Sequence, residues 1–212
     1  MKDLIIIGAG GFAREVYWLA LTINRLGCRD WQIKGFLDNR QHLLDGYTYP
    51  HPIISSVEQY DIQENDVFAS GVGNPVHRQH YCEMILKKGG HFINLIHPMA
   101  SISNNISWGS GVVVAAYSAI SCDVKIGNFV AINSYVQIGH DVVIGDFSQI
   151  NSLVFLGGFS EIGRSVIIHP HAIIVPKVKI EDNVTVGAGS VVLKNTMPNQ
   201  TIFGMPAMPI EV

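Results

Sequence analysis

From Ile96 onward, large apolar residues fall on every sixth position without a slip. The series is Ile96, Ile102, Trp108, Val114, Ile120, Ile126, Ile132, Ile138, Ile144, Ile150, Leu156, Ile162, Ile168, Ile174, Ile180, Val186 and Val192. Four residues after most landings comes a small or β-branched residue, as at Ser118, Val124, Val136, Ser148, Ala172 and Ser190. Glycine often follows the landing directly, as at Gly127, Gly139, Gly145, Gly157, Gly163 and Gly187. Helices repeat every 3.6 residues and strands every 2, so neither needs this period. A fixed period marks a solenoid, and a hexapeptide period marks a parallel β-helix. Each rung is then a short strand and a corner. The landing residue points inward, and the residue four later must fit a crowded interior. Glycine after the landing is expected to permit a backbone bend that other residues resist.

Residues 1–95 carry a different pattern. "LIIIGAGG" reads as a buried strand entering a Gly-rich turn, and "FAREVYWLALTINRLG" has helical spacing closed by Gly27. "WQIKGFLD" and "DVFASGV" read as further strands, and "NPVHRQHYCEMILKKGG" as a helix closed by Gly89 and Gly90. Strand–helix–strand alternation predicts a small parallel α/β domain. Gly8, Gly10 and Ala13 fit G-x-G-x-x-[G/A] between strand and helix, and Asp38 ends the second strand, where a ribose-binding acid is expected. A dinucleotide fold needs two mononucleotide halves, and this length supplies one. Glycine amides and a helix N-terminus then suit the diphosphate of a nucleotide better than NAD.

The [Ile/Leu/Val]-Gly-x-x-[Ser/Ala/Val]-x pattern resembles the left-handed β-helix of hexapeptide acyltransferases. The resemblance implies a left-handed turn and three rungs per triangular coil, so that residues eighteen apart stack. A Rossmann-like domain (1–95) ahead of such a β-helix (96–212, with a C-terminal cap) narrows the likeness. With "GAGGFAREV", "GFLDN" and the closing "FGMPA", the chain resembles bacterial nucleotide-sugar acetyltransferases of the sialic acid O-acetyltransferase group. That family implies acetyl-CoA-dependent N-acetylation of a UDP-, dTDP- or GDP-linked 4-amino-4,6-dideoxy sugar for surface glycan or O-antigen synthesis. Sialic-acid-type O-acetylation is the alternative. Gly8, Gly10, Gly11, Asp38 and Asn39 would hold the nucleotide, with Asn74 and Arg78 of "GVGNPVHR" as weaker members. A convex prism needs a neighbour to make a pocket, and the family implies a homotrimer.

The family's catalytic histidine lies in a motif matched here by Asn133 through His140 and Asp141. Acetyl transfer to an amine requires a proton acceptor, and a neutral imidazole suits that role near pH 7. Asp141 would orient the ring, and Asn133 would position the sugar or form a stacked ladder with Asn151. The resemblance places the Gly158 amide at the thioester oxygen and further acetyl-CoA contacts at Gln149, Gly187 and Ala188. Gln149 stands where some relatives have a second histidine, and Phe12 where some have a histidine in the Gly-rich turn. Pro170 has no N–H to offer a pantetheine carbonyl.

Composition narrows the rivals. The net charge is −3 with scattered Lys and Arg, which argues against a nucleic-acid face. No stretch approaches the roughly 20 apolar residues of a membrane helix, and a cytoplasmic location is expected. Cys28, Cys82 and Cys122 have no CxxC spacing and read as reduced thiols. A zinc enzyme of the same fold would need three histidines, and His140, His169 and His171 lack its spacing. No metal is expected. A non-catalytic β-helix would have no need of a nucleotide domain, and a dinucleotide oxidoreductase would need a larger one.

Overall fold

A computed structural model describes residues 1–27 and 31–211. It divides into two units, Met1–Leu95 and Ile96–Val212. In the first, β1 (Lys2–Ile7), α1 (Gly11–Arg25), β2 (Trp31–Leu37), β3 (Ile53–Ser55), β4 (Asp66–Ser70) and α2 (Pro75–Lys87) follow in order. The sheet is parallel with order β3-β2-β1-β4. Leu4 to Ile7 of β1 are wholly buried, the continuous apolar run of a strand covered on both faces. Burying each such side chain is worth roughly 1.5–3 kcal/mol. Along α1, Ala13, Val16, Tyr17, Ala20 and Ile23 form the buried stripe, and Gly27 at φ +72° follows the last turn. Strand β3 is an addition to the three strands read from the sequence. It has three residues and no alternation to betray it.

The second unit is a parallel β-solenoid of two-residue strands, from Leu95–Ile96 to Val191–Val192. Its strands lie in three sheets, and pairs such as Ile126↔Ile144 and Ile138↔Leu156 fix an eighteen-residue register. The landings from Val114 to Val192 are buried, as are the residues four later from Ser118 to Ser190. Two of the buried hydroxyls are satisfied at corner carbonyls, Ser118 Oγ donating to Asn133 O at 2.7 Å and Ser148 Oγ to Gly163 O at 2.7 Å, whereas Ser160 Oγ has no partner among the described residues. A hairpin of Thr201–Gly204 and Ala207–Ile210 adds to the end of one sheet.

The corner glycines are there for a different reason from the bend expected of them. None of the six has a positive φ. A Cβ on Gly139 would lie 2.7 Å from Gly158 N, and one on Gly145 2.7 Å from Gly163 C. Five of the six are glycine because the next coil leaves no room, and Gly187 because the Phe203 ring of the closing hairpin fills the space. The bend is made two residues later. Every sixth residue from Asn105 to Gly189 has φ between +52° and +69°, and only Gly111 and Gly189 among them are glycine. Each non-glycine residue held there costs about 1 kcal/mol or more. Ladder bonds on both sides hold the geometry, such as Asp141 N to Cys122 O and Phe159 N to His140 O.

Cys82 is buried and free, its thiol pushed up to about 12 by burial, and Cys122 is free and half-buried. Cys28 lies outside the described residues.

Candidate active site

Two sites emerge, one in each unit. In the first, the carboxyl ends of β1 and β4 open into a cleft of about 500 Å³. The sheet order reverses between these two strands, which is where open α/β sheets bind ligands. The volume suits a nucleotide-sized molecule. Gly8 turns the chain at φ +89°. Gly71 is required because a Cβ there would lie 2.5 Å from Ala13 Cα. Gly10 and Gly11 have no such reason: a Cβ on Gly10 would meet nothing within 4 Å, and one on Gly11 only Arg14 at 4.0 Å. Gly10 caps α1 without a side-chain hydrogen bond, and the first turn has no acidic residue. Bare amides at a helix N-terminus suit an anion.

Asp38 closes the turn. Its Oδ2 accepts from Ala9 N at 2.9 Å, and its Oδ1 accepts from Arg40 N at 2.9 Å and Arg40 Nε at 3.0 Å. Burial pushes this carboxyl upward, but the hydrogen bonds from Arg40 and Ala9 outweigh it and hold it below its ordinary value. Asn39 lines the cleft and donates to Glu58 at 3.1 Å. Asn74 also lines it, but its Oδ1 caps α2 by accepting from Val76 N and His77 N.

Arg78 does not line the cleft. It is 1% exposed and shares the buried face of α2 with Cys82 and Ile85. Burial lowers its guanidinium to about 10. The i, i+4, i+7 spacing of 78, 82 and 85 already placed it on that face. His77 and Tyr81, four apart on the other face, line the cleft instead, with Arg40 and Phe12. No sequence motif singles out His77, Tyr81 or Arg40.

In the second unit, His140 stands at a corner, half exposed, with Cys122 and Gly158 stacked one coil to either side. Its Nδ1 lies 2.8 Å from Asp141 Oδ2. A carboxylate only accepts, so Nδ1 carries a hydrogen, and in the neutral ring Nε2 presents a lone pair. That edge lies over Gly158, where a Cβ would sit 2.9 Å from both Cε1 and Nε2. Phe159 meets the imidazole edge-on, with centroids 5.0 Å apart at 87°. Asp141 holds this position at φ +58°, the strained step of its corner. Asp141, Gly158 and Phe159 thus hold the imidazole from three sides.

Asn133 is not joined to His140 within the chain. It follows the strand Ala131–Ile132, whereas His140 follows Gln137–Ile138, so they occupy successive corners. Asn133 Nδ2 donates to Asn151 Oδ1 at 3.2 Å, and Gln149 Nε2 to the same oxygen at 3.4 Å. This is the stacked amide ladder. Gly187 and the exposed Ala188 follow Thr185–Val186, in the same sheet as Ala131–Ile132, so they share the ladder's corner and not that of His140. Gly187 is glycine because the Phe203 ring packs on it. Among the described residues, no group of three or more His, Cys, Asp or Glu is placed to hold a metal, and no helix is long and apolar enough to cross a membrane.

Residues 3–85 match the PglD N-terminal domain, and residues 159–194 match the bacterial transferase hexapeptide model of six repeats. The solenoid is consistent with their left-handed β-helix. The acetyltransferase domain of PglB from Neisseria gonorrhoeae is 29% identical, with a TM-score of 0.90 over 99% of this chain and 100% of that one. The same domain in complex with acetyl coenzyme A gives 29% and 0.89 over 99% of both chains. PerB from Caulobacter crescentus, in complex with CoA and GDP-perosamine, gives 24% and 0.88 over 100% of this chain and 98% of that one, a likeness of fold. Comparison with curated protein sequences gives no match.

Proposed function

We propose that the protein is an acetyl-CoA-dependent N-acetyltransferase acting on the amino group of a nucleotide-linked 4-amino-4,6-dideoxy sugar. The observation that carries the chemistry is the His140 imidazole, held by Asp141 with its Nε2 edge over Gly158. The amine lone pair forms a C–N bond to the acetyl carbon as the C–S bond of the thioester breaks. His140 takes the proton from nitrogen and returns it to the departing sulfur. The Gly158 amide serves the thioester oxygen. The PglD-type cleft takes the nucleotide, its diphosphate against Gly10 and Gly11.

The working form is a homotrimer. His140 and Gly158 lie on one corner of the prism, and Asn133, Gln149, Gly187 and Ala188 around another. Packing one chain's corner beside its neighbour's brings the two sets to one substrate. The reaction belongs to surface glycan or O-antigen synthesis in the cytoplasm.

Incubation with acetyl-CoA and a panel of UDP-, dTDP- and GDP-linked 4-amino-4,6-dideoxyhexoses, followed by mass spectrometry, tests this. One acetyl group should be gained by one amino sugar. His140→Ala should lower kcat about 10²–10⁴-fold and leave the oligomer intact. Acetylation confined to hydroxyl-bearing sugars, or a His140→Ala variant with full activity, would reverse the reading.

A further inference from the structure

Arg40 has no part in the chemistry above, yet its placement is specific. Its side chain is 70% exposed and lines the cleft. Even so, one edge of its guanidinium is engaged side-on: Nε donates to Asp38 Oδ1 at 3.0 Å and Nη2 to Oδ2 at 3.1 Å. The amides of Arg40 and Ala9 add one hydrogen bond to each oxygen, both 2.9 Å long. Four donors fill the acceptor sites of a carboxylate. In this state Asp38 has nothing left for a ribose hydroxyl. The two amide bonds are fixed by the main chain, so only the two side-chain bonds can be exchanged. The guanidinium is exposed, so it can swing away from Asp38 at the cost of two hydrogen bonds, which a phosphate would restore. Asp38 is also hydrogen-bonded to the turn between Gly8 and Gly10, so the guanidinium sits one carboxylate away from the bare amides. Among the described residues lining the cleft, Arg40 is the one permanent cation.

We infer that Arg40 is an exchange clamp: in the free protein it blocks Asp38, and when a nucleoside diphosphate enters it moves to the phosphates and releases Asp38 to the sugar hydroxyls (2′ and 3′ in a ribonucleotide, 3′ alone in dTDP). This rests on the nucleotide reading of the cleft. The fork geometry that pairs with a carboxylate also pairs with a phosphate, so the cation changes partner without losing its hydrogen bonds. The ribose site then opens only to a ligand that carries phosphate. Free nucleosides are refused although they fit, because nothing draws Arg40 away.

Calorimetry on the full chain with UDP, dTDP and GDP, and with uridine, thymidine and guanosine, tests the clamp. Wild type should bind one diphosphate well and its nucleoside far more weakly. Arg40→Ala should weaken the diphosphate about 10- to 100-fold, the loss of a charge-assisted pair. The same variant should tighten the nucleoside severalfold, because Asp38 is now open. Asp38→Asn added to Arg40→Ala should abolish that gain. Arg40→Lys, which keeps the charge but not the fork, should fall between wild type and Arg40→Ala for the diphosphate. Opposite signs for the two ligands set the clamp apart from a structural role, in which both would weaken together. Equal weakening of both, or an unchanged diphosphate affinity, overturns the clamp while leaving the nucleotide reading in place. Failure of wild type to bind any of the three diphosphates overturns both.

Discussion

The two units use glycine in opposite ways. In the prism, a Cβ on Gly139 or Gly145 would run into the backbone of the next coil. In the cleft, a Cβ on Gly10 would stand in open space. The first kind of glycine is required by the chain's own packing, and the second is not. Gly158 is a third kind, because the obstacle there is the imidazole of His140 and not backbone. What stands opposite the missing Cβ, read together with φ, therefore separates glycines that the fold requires from those it does not.

Four substitutions sharpen or break that comparison. Gly158→Ala presses on a ring that can yield, so the coil should survive and the chemistry should not. We expect kcat to fall about 100-fold, the usual consequence of displacing a catalytic group by about 1 Å. Steady-state kinetics beside a melting curve would check it, and a drop in stability with unchanged kcat would count against a third class. Gly145→Ala presses on backbone that cannot yield. Stability should fall by about 3 kcal/mol, measured by denaturant unfolding. A loss under about 0.5 kcal/mol, the size of an ordinary surface substitution, would remove the distinction.

Gly10→Ala should leave stability nearly unchanged, since φ −74° and ψ −167° suit any residue. Nucleoside diphosphate affinity should fall about 10-fold in calorimetry, because the methyl enters the cleft. The smallest effect concerns acid. The Asp38 carboxyl is held below its ordinary value, so its contribution to stability is complete above the unfolded value and is lost as pH falls through the folded one. The stability gap between wild type and Asp38→Asn should therefore shrink below about pH 4. A constant gap from pH 7 to pH 3 would contradict the assigned hydrogen bonds.

The prism was legible in the sequence because translation imposes one demand many times. Seventeen landings from Ile96 to Val192 repeat it, so no single substitution hides the period. The corner conformation was not legible, since the residues at positive φ include Phe, Tyr, Lys and Leu, none of which signals that backbone. The closing hairpin and β3 have too few residues for a period to register. At the sites, His140 and Asp141 adjoin in sequence, and the structure pairs them. Asp38 was found by its place after a strand, but its bond to Arg40 depends on side-chain rotation that no spacing encodes. Arg78 was misplaced for want of helical phase, which Cys82 and Ile85 supplied all along.

The eighteen-residue register makes position along the prism a counted quantity. Parallel strands are spaced about 4.8 Å apart, so inserting one whole coil moves everything after it by that step and changes no facing. Inserting six residues instead carries every later residue round to the next face. Inserting one residue puts each landing outside the core. Changes of length that keep His140 on its corner with Gly158 above it are therefore restricted to whole coils, and the reach between the two ends of this unit can be altered only by whole numbers of such steps.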